Sequence, residues 1–153
     1  NLYCLKLADG SVVWQVAGEG SMICRSTGGA SAINGVVYHA VNLKAKKGPN
    51  MTCGGKGAIR AYDLKSGKLK WEKCYESEKL EAHAIPIVAP KGPGGKPAVI
   101  VGIGNIAGSP PPSQPAGDEW RGKVVALDLA DGKELWAFEP EPQRGPCCAG
   151  SSK

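Results

Sequence analysis

Gly122–Phe138 reads GKVVALDLADGKELWAF. Val125, Leu127 and Leu129 alternate up to a polar Asp131-Gly132, and Leu135 and Trp136 follow it. Period-two alternation around an Asp-Gly is a hairpin signal. The same phrase stands twice more, as LYCLKLADGSVVWQV over Leu2–Val16 and GAIRAYDLKSGKLKWEKCY over Gly57–Tyr75. Aligned on Gly10, Gly67 and Gly132, the tryptophans fall at Trp14, Trp71 and Trp136, always four residues on. Leu7, Leu64 and Leu129 stand three residues before each glycine. Asp63 and Asp128 stand four before it, where the first copy has Lys6. So many registered positions define an internal repeat, and a repeat decides the architecture before any single element does.

Between these hairpins lie further strand candidates: Ala32–Val41, turning on Asn34-Gly35, then Ala84–Val88 and Ala98–Gly104. No stretch sustains a helical period, and the 22 Gly and 12 Pro concentrate in loops, as an all-β chain requires. Each period then holds about four strands, which is one blade of a β-propeller. We therefore expect an all-β fold, a partial propeller of four-stranded blades spanning residues 1–153. It would hold about two and a half blades, with docking hairpins at 2–16, 57–75 and 122–138. A propeller closes with roughly four to eight blades. Neither end reads as a natural terminus, so we expect a fragment whose natural partner is the rest of the propeller.

The charge pattern excludes some partners. The net charge is +5, but Lys and Arg are scattered without aromatic interleaving, which points to a solvated surface rather than nucleic acid. No apolar run approaches the ~18 residues of a membrane span. Of the six cysteines, Cys4, Cys24, Cys53, Cys74, Cys147 and Cys148, no two have C-x-x-C spacing. With the Asn50-Met51-Thr52 sequon, they lean toward a secreted, periplasmic or lumenal location. His39 and His83 are too far apart in sequence to suggest a metal pair.

AYDLKSGKLKW and ALDLADGKELW resemble the tryptophan-docking motifs of the quinoprotein alcohol dehydrogenase superfamily. That resemblance implies a propeller of about eight blades when complete. It also implies that Trp14, Trp71 and Trp136 are structural, each packing on the glycine turn of the next blade. Members of the superfamily are of two kinds. Some oxidise alcohols with pyrroloquinoline quinone (PQQ) and calcium. Others are non-catalytic propellers that act as interaction or assembly scaffolds for protein partners.

VIVGIGNIAGSPPPSQPAGDEWRGKVVALDL is similar to the dehydrogenase segment that runs G-T-G-N, a proline-rich loop, then the next docking motif. The resemblance implies that Asn105 is a calcium ligand, suited to a hard cation that takes amide and carboxylate oxygens; its other reading is a turn residue ending a strand. The ion would polarise the quinone, and the substrate would be a small alcohol. TCGGKGAIRAYDL, with Cys53 and Gly57 in place and Lys56 for the usual Arg, resembles the polyvinyl-alcohol-dehydrogenase-like branch. Cys147-Cys148 resembles the vicinal disulfide that faces the cofactor in methanol-type enzymes; the two cysteines also read as thiols of a tail or with partners elsewhere.

The chain departs from the enzymes at three points. No carboxylate stands in YHAVNLKAKKGPNMTCGG, where the second calcium ligand, a glutamate, would fall. Glu139 and Glu141, but no Asp, follow Trp136, where the catalytic base would fall. The Cys pair follows the G-x-G-N loop instead of preceding it. The catalytic residue is therefore unassigned.

Overall fold

The computed structural model describes residues 1–16, 29–42, 57–75, 80–82, 84–104 and 122–141. Eleven strands account for most of them. They are β1 Leu2–Leu5, β2 Val12–Val16, β3 Ala30–Ile33, β4 Val36–Asn42, β5 Gly57–Asp63, β6 Leu69–Cys74, β7 Glu81–Ala82, β8 Ile87–Ala89, β9 Ala98–Gly104, β10 Gly122–Asp128 and β11 Glu134–Phe138. One short 3-10 turn, Pro93–Gly95, is the helical element among the described residues. No helix there is long and apolar enough to cross a membrane.

The strands form three antiparallel sheets. The first is the β1-β2 hairpin; the second runs β3-β4-β5-β6. The third runs β11-β10-β9-β7, with β8 also paired to β9. Glu81 faces Gly104 while Ile87 faces Ile100, so β7 and β8 lie end to end along one edge of β9. The third sheet is therefore four strands wide, like the second. Such sheets fit a partial β-propeller, and the all-β expectation holds.

Two local expectations shift. Ala84–Val88 contributes only Ile87 and Val88 to a strand, which begins after Pro86 and continues to Ala89. Proline has no N–H for a ladder and is tolerated at strand starts and edges. The Asp-Gly and Ser-Gly turns are also longer than two-residue reversals. The chain leaves β5 at Asp63 and re-enters at Leu69. Asn34-Gly35, in contrast, is a two-residue turn with both φ values positive, 49° and 75°, as that turn type requires.

The core lies between the second and third sheets. Residues paired across antiparallel strands share a face. Tyr38, Ala40, Ile59, Ala61 and Trp71 lie on one face of the second sheet, and they pack against Val99, Val101, Ile103, Val125 and Leu127 of the third. These are mostly β-branched and small side chains. They suit two pleated surfaces that approach closely. Two polar contacts cross the same boundary. The Ala82 amide donates to Asn42 Oδ1 at 2.7 Å. The Lys123 ammonium, in a side chain only 7% exposed, stands 5.3 Å from the centre of the Tyr75 ring and 3.9 Å from Glu134 Oε2 and Glu139 Oε1. A cation over an aromatic face with carboxylates behind it keeps that buried charge compensated.

Candidate functional site: the indole sockets

The three repeated hairpins share one backbone device. The Gly67 amide donates to Asp63 O at 2.8 Å, and the Asp63 amide donates to Lys68 O at 2.9 Å. Gly132 and Asp128 make the same pair of bonds at 3.0 and 2.8 Å, and Gly10 and Lys6 make it at 2.9 and 2.8 Å. The φ angles of Gly10, Gly67 and Gly132 are 71°, 68° and 72°. This left-handed conformation is costly for residues with a Cβ. Acidic side chains brace the turns. Asp63 Oδ1 accepts from the Ser66 amide and hydroxyl, Asp128 Oδ1 from the Ala130 amide, and Asp9 Oδ1 from the Ser11 amide. The Ser66 bonds hold the Asp63 carboxyl below its ordinary pKa, and the Ser11 bonds do the same for Asp9.

The strand leaving each turn carries a β-bulge at one fixed place. Cys4, Ala61 and Ala126 pair with Trp14, Trp71 and Trp136, but the next residues, Leu5, Tyr62 and Leu127, pair with Val12, Leu69 and Glu134. Val13, Lys70 and Leu135 are thus the extra residues. A bulge bends its strand and re-aims the side chain beside it. Here that side chain is the indole.

Trp14 of the first sheet reaches the turn of the second, where its Nε1–H donates to Leu64 O at 2.8 Å. Trp71 of the second sheet reaches the turn of the third, where its Nε1–H donates to Leu129 O at 3.0 Å. The glycines make room for the rings. A Cβ on Gly67 would stand 2.7 Å from Trp14 Cδ2, and one on Gly132 would stand 2.5 Å from Trp71 Cε3. Tyr38 flanks the Trp71 ring at 5.8 Å between centroids, tilted by 44°. Each socket therefore combines a left-handed glycine, an acceptor carbonyl three residues earlier, and an indole from the preceding sheet.

The series is incomplete at both ends. Gly10 has the same turn, yet nothing lies within 4 Å of where its Cβ would be, and Leu7 is fully exposed. Trp136 has the same bulge, yet it is 36% exposed against 8% for Trp71. By register it shares a face of the third sheet with Ile87, Ile100, Val124, Ala126 and Phe138. Ile87, Val124 and Phe138 are exposed there, at 65%, 37% and 62%.

The other face of the second sheet carries a polar row. Arg60 Nε donates to Glu72 Oε1 at 2.5 Å, directly across β5-β6, and His39 pairs with Arg60 across β4-β5. Burial and then the Arg60 charge hold the His39 imidazole below its ordinary pKa. Burial alone would lower the Arg60 guanidinium, but the hydrogen bonds and charges of Glu72 and Tyr62 together hold it above its ordinary pKa. This row is a structural ion pair beside a neutral histidine.

Asn105, Cys147, Cys148, Cys53 and His83 lie outside the described residues. Among the described residues no group of three or more His, Cys, Asp or Glu could hold a metal ion. Cys74, at the end of β6, is disulfide-bonded, and Cys4 is free. The bulge and the acceptor carbonyls were not read from the sequence. The signal was there: Val13-Trp14 and Leu135-Trp136 put two apolar residues side by side, which breaks the alternation where a bulge resets it.

A family model described as "Outer membrane protein assembly factor BamB" (PQQ_2) matches residues 1–146. No curated protein matches the chain. Among solved structures, a europium-containing methanol dehydrogenase is similar, with TM-score 0.60 and 19% identity. The alignment covers 90% of this chain and 21% of that one, so the chain spans about a fifth of that enzyme, and the likeness is one of fold. BamB from Moraxella catarrhalis aligns with TM-score 0.40 and 16% identity over 84% of this chain and 40% of that one.

Proposed function

The chain belongs to the PQQ-repeat family whose model is described as the outer membrane protein assembly factor BamB, and from this premise we propose that it is a protein-docking scaffold. One observation carries the reading: the apolar outer face of the third sheet, with Ile87, Val124, Trp136 and Phe138 exposed together. A contiguous exposed apolar face on a folded sheet is a surface that something covers, either another protein or a further repeat of the same propeller. Aromatic side chains are the usual anchors of such surfaces. The disulfide at Cys74 supports work in an oxidising compartment, whether secreted, periplasmic or lumenal. The test is a photo-crosslinking residue placed at Phe138 in the chain. The scaffold reading expects crosslinks to protein through that position and none from a probe at exposed Lys91. Equal labelling from both positions would end it.

A second reading is favoured by one feature. β9 ends at Gly104, so the G-I-G-N phrase stands as a strand end followed at once by Asn105. On this reading the chain is part of a PQQ-dependent alcohol dehydrogenase. Asn105 would offer an amide oxygen to calcium, and Cys147-Cys148 would form a disulfide against the cofactor. Its remaining carboxylates would come from sequence outside this chain. Addition of PQQ and calcium to the full-length protein should then produce dye-linked alcohol oxidation. No oxidation and no binding of either would remove this reading.

A further inference from the structure

The polar row of the second sheet sits at a joint. His39, Arg60 and Glu72 share the face opposite Tyr38, Ala61 and Trp71, so they point away from the third sheet. Two contacts put the first sheet on that side. Trp14 reaches the turn that holds Leu64 and Gly67, and the Asn1 amino group is close enough to act on the His39 imidazole. Leu2, Cys4, Trp14 and Val16 share the partly covered face of β1-β2, while Tyr3 and Leu5 on its other face are exposed. A mainly apolar surface thus closes toward a polar row.

Charges in that row are balanced only while His39 is neutral. The Arg60 and Glu72 side chains, 12% and 8% exposed, pair with each other, and Tyr62 adds a hydrogen bond to Arg60. The cross-strand neighbours of His39 are Ala30 and Arg60, and neither is a carboxylate. From the first sheet the titratable groups on this side are the Cys4 thiol and the Asn1 amino group; on β6, Cys74 is held in a disulfide. Burial, then Arg60, then the Asn1 amino group all favour the neutral ring. A protonated ring here would lose water and face like charge.

We infer that acid opens this joint: protonation of His39 releases the first sheet from the second, and Trp14 leaves its socket while Trp71 keeps its own. In the open form His39 regains water and takes a proton at its ordinary pKa of about 6.5. In the closed form it takes one only at lower pH. The open form therefore gains on the closed one as pH falls below about 6.5, by up to about tenfold for each pKa unit that separates the two. The joint that Trp71 makes with the third sheet holds no histidine among the described residues. Histidine is the side chain whose charge changes in this range, so only the first joint responds. The inference is independent of the scaffold reading.

The test is indole N–H exchange in the nitrogen-15-labelled chain, read as the ratio of the Trp14 rate to the Trp71 rate between about pH 7.5 and about pH 5. The ratio cancels the pH dependence of the exchange chemistry itself. It should rise as pH falls in the unaltered chain and stay at its neutral-pH value in His39→Gln. A flat ratio in the unaltered chain would overturn the inference, as would an equal rise in His39→Gln. Loss of protection at Trp14 and Trp71 together would overturn it too, because protonation would then unfold the chain as a whole. The unaltered chain also answers alone, should His39→Gln fold poorly. Its His39 ring signals should titrate below about pH 6.5, and titration at or above that value would overturn the inference.

Discussion

Alanine at Gly132 and alanine at Gly10 impose the same backbone demand in two surroundings. The glycines have φ values of 72° and 71° and the same turn hydrogen bonds. Alanine at either position suffers the left-handed penalty, about 1–2 kcal/mol. At Gly10 little else changes, because no atom lies within 4 Å of the new Cβ. At Gly132 the new Cβ would fall 2.5 Å from Trp71 Cε3. The indole must retreat, which adds an overpacking cost of about 1–3 kcal/mol. It also strains or breaks the 3.0 Å bond to Leu129 O, worth about 1 kcal/mol. Gly132→Ala should therefore cost about 3–6 kcal/mol and Gly10→Ala about 1–2 kcal/mol. Against a typical domain stability of roughly 5–15 kcal/mol the difference is large. Urea unfolding followed by circular dichroism reads both values as midpoint shifts at constant slope. Equal costs at the two positions would refute the socket argument, because strain alone would then explain both.

Other outcomes follow from the same geometry. Trp71→Phe keeps much of the ring packing but loses the Nε1–H bond and leaves the Leu129 carbonyl short of that donor, so it should cost about 1–3 kcal/mol in urea unfolding. Glu72→Gln leaves the Arg60 charge without its ionic partner in a side chain only 12% exposed, and should cost about 3 kcal/mol; a loss below about 0.5 kcal/mol would place the pair among surface salt bridges instead. His39 has a folded pKa below its unfolded one, so the unfolded chain takes the proton first. Stability should be full above about pH 6.5 and fall as pH drops through that value toward the folded pKa, and His39→Gln should flatten that slope in urea midpoints measured against pH. Reduction of the Cys74 disulfide should lower stability by about 2–4 kcal/mol, read by urea unfolding with and without dithiothreitol.

Much of the fold was legible because the repeat carries it. Glycine at a left-handed turn and tryptophan four residues later are side-chain requirements, so they leave a mark in the sequence at Gly10, Gly67 and Gly132. Apolar runs in Val36–Asn42, Gly57–Asp63 and Gly122–Asp128 mark strands buried on both faces over most of their length. The bulges were less legible, because an extra residue is a backbone event that shows only as adjacent apolar residues at Val13-Trp14 and Leu135-Trp136. The acceptor for the indole was illegible for a simpler reason. It is a main-chain carbonyl, and Leu64 and Leu129 advertise their side chains, not their oxygens. The Arg60–Glu72 pair and the His39 beside it depend on register across three strands, which no single segment encodes. The family was readable from the docking motif. The division between enzyme and scaffold rests on residues such as Asn105 and Cys147-Cys148, for which the motif makes no demand.

An indole seated in a glycine turn joins each described repeat to the next, through Trp14 on Leu64 and Trp71 on Leu129. Hydrogen exchange of the tryptophan indole N–H groups, followed by nitrogen-15 nuclear magnetic resonance, tests this most directly. Trp14 and Trp71 should exchange slowly, protected by their bonds to Leu64 and Leu129, while Trp136 exchanges at the rate of a solvent-exposed indole. Equal exchange at all three positions would contradict the claim.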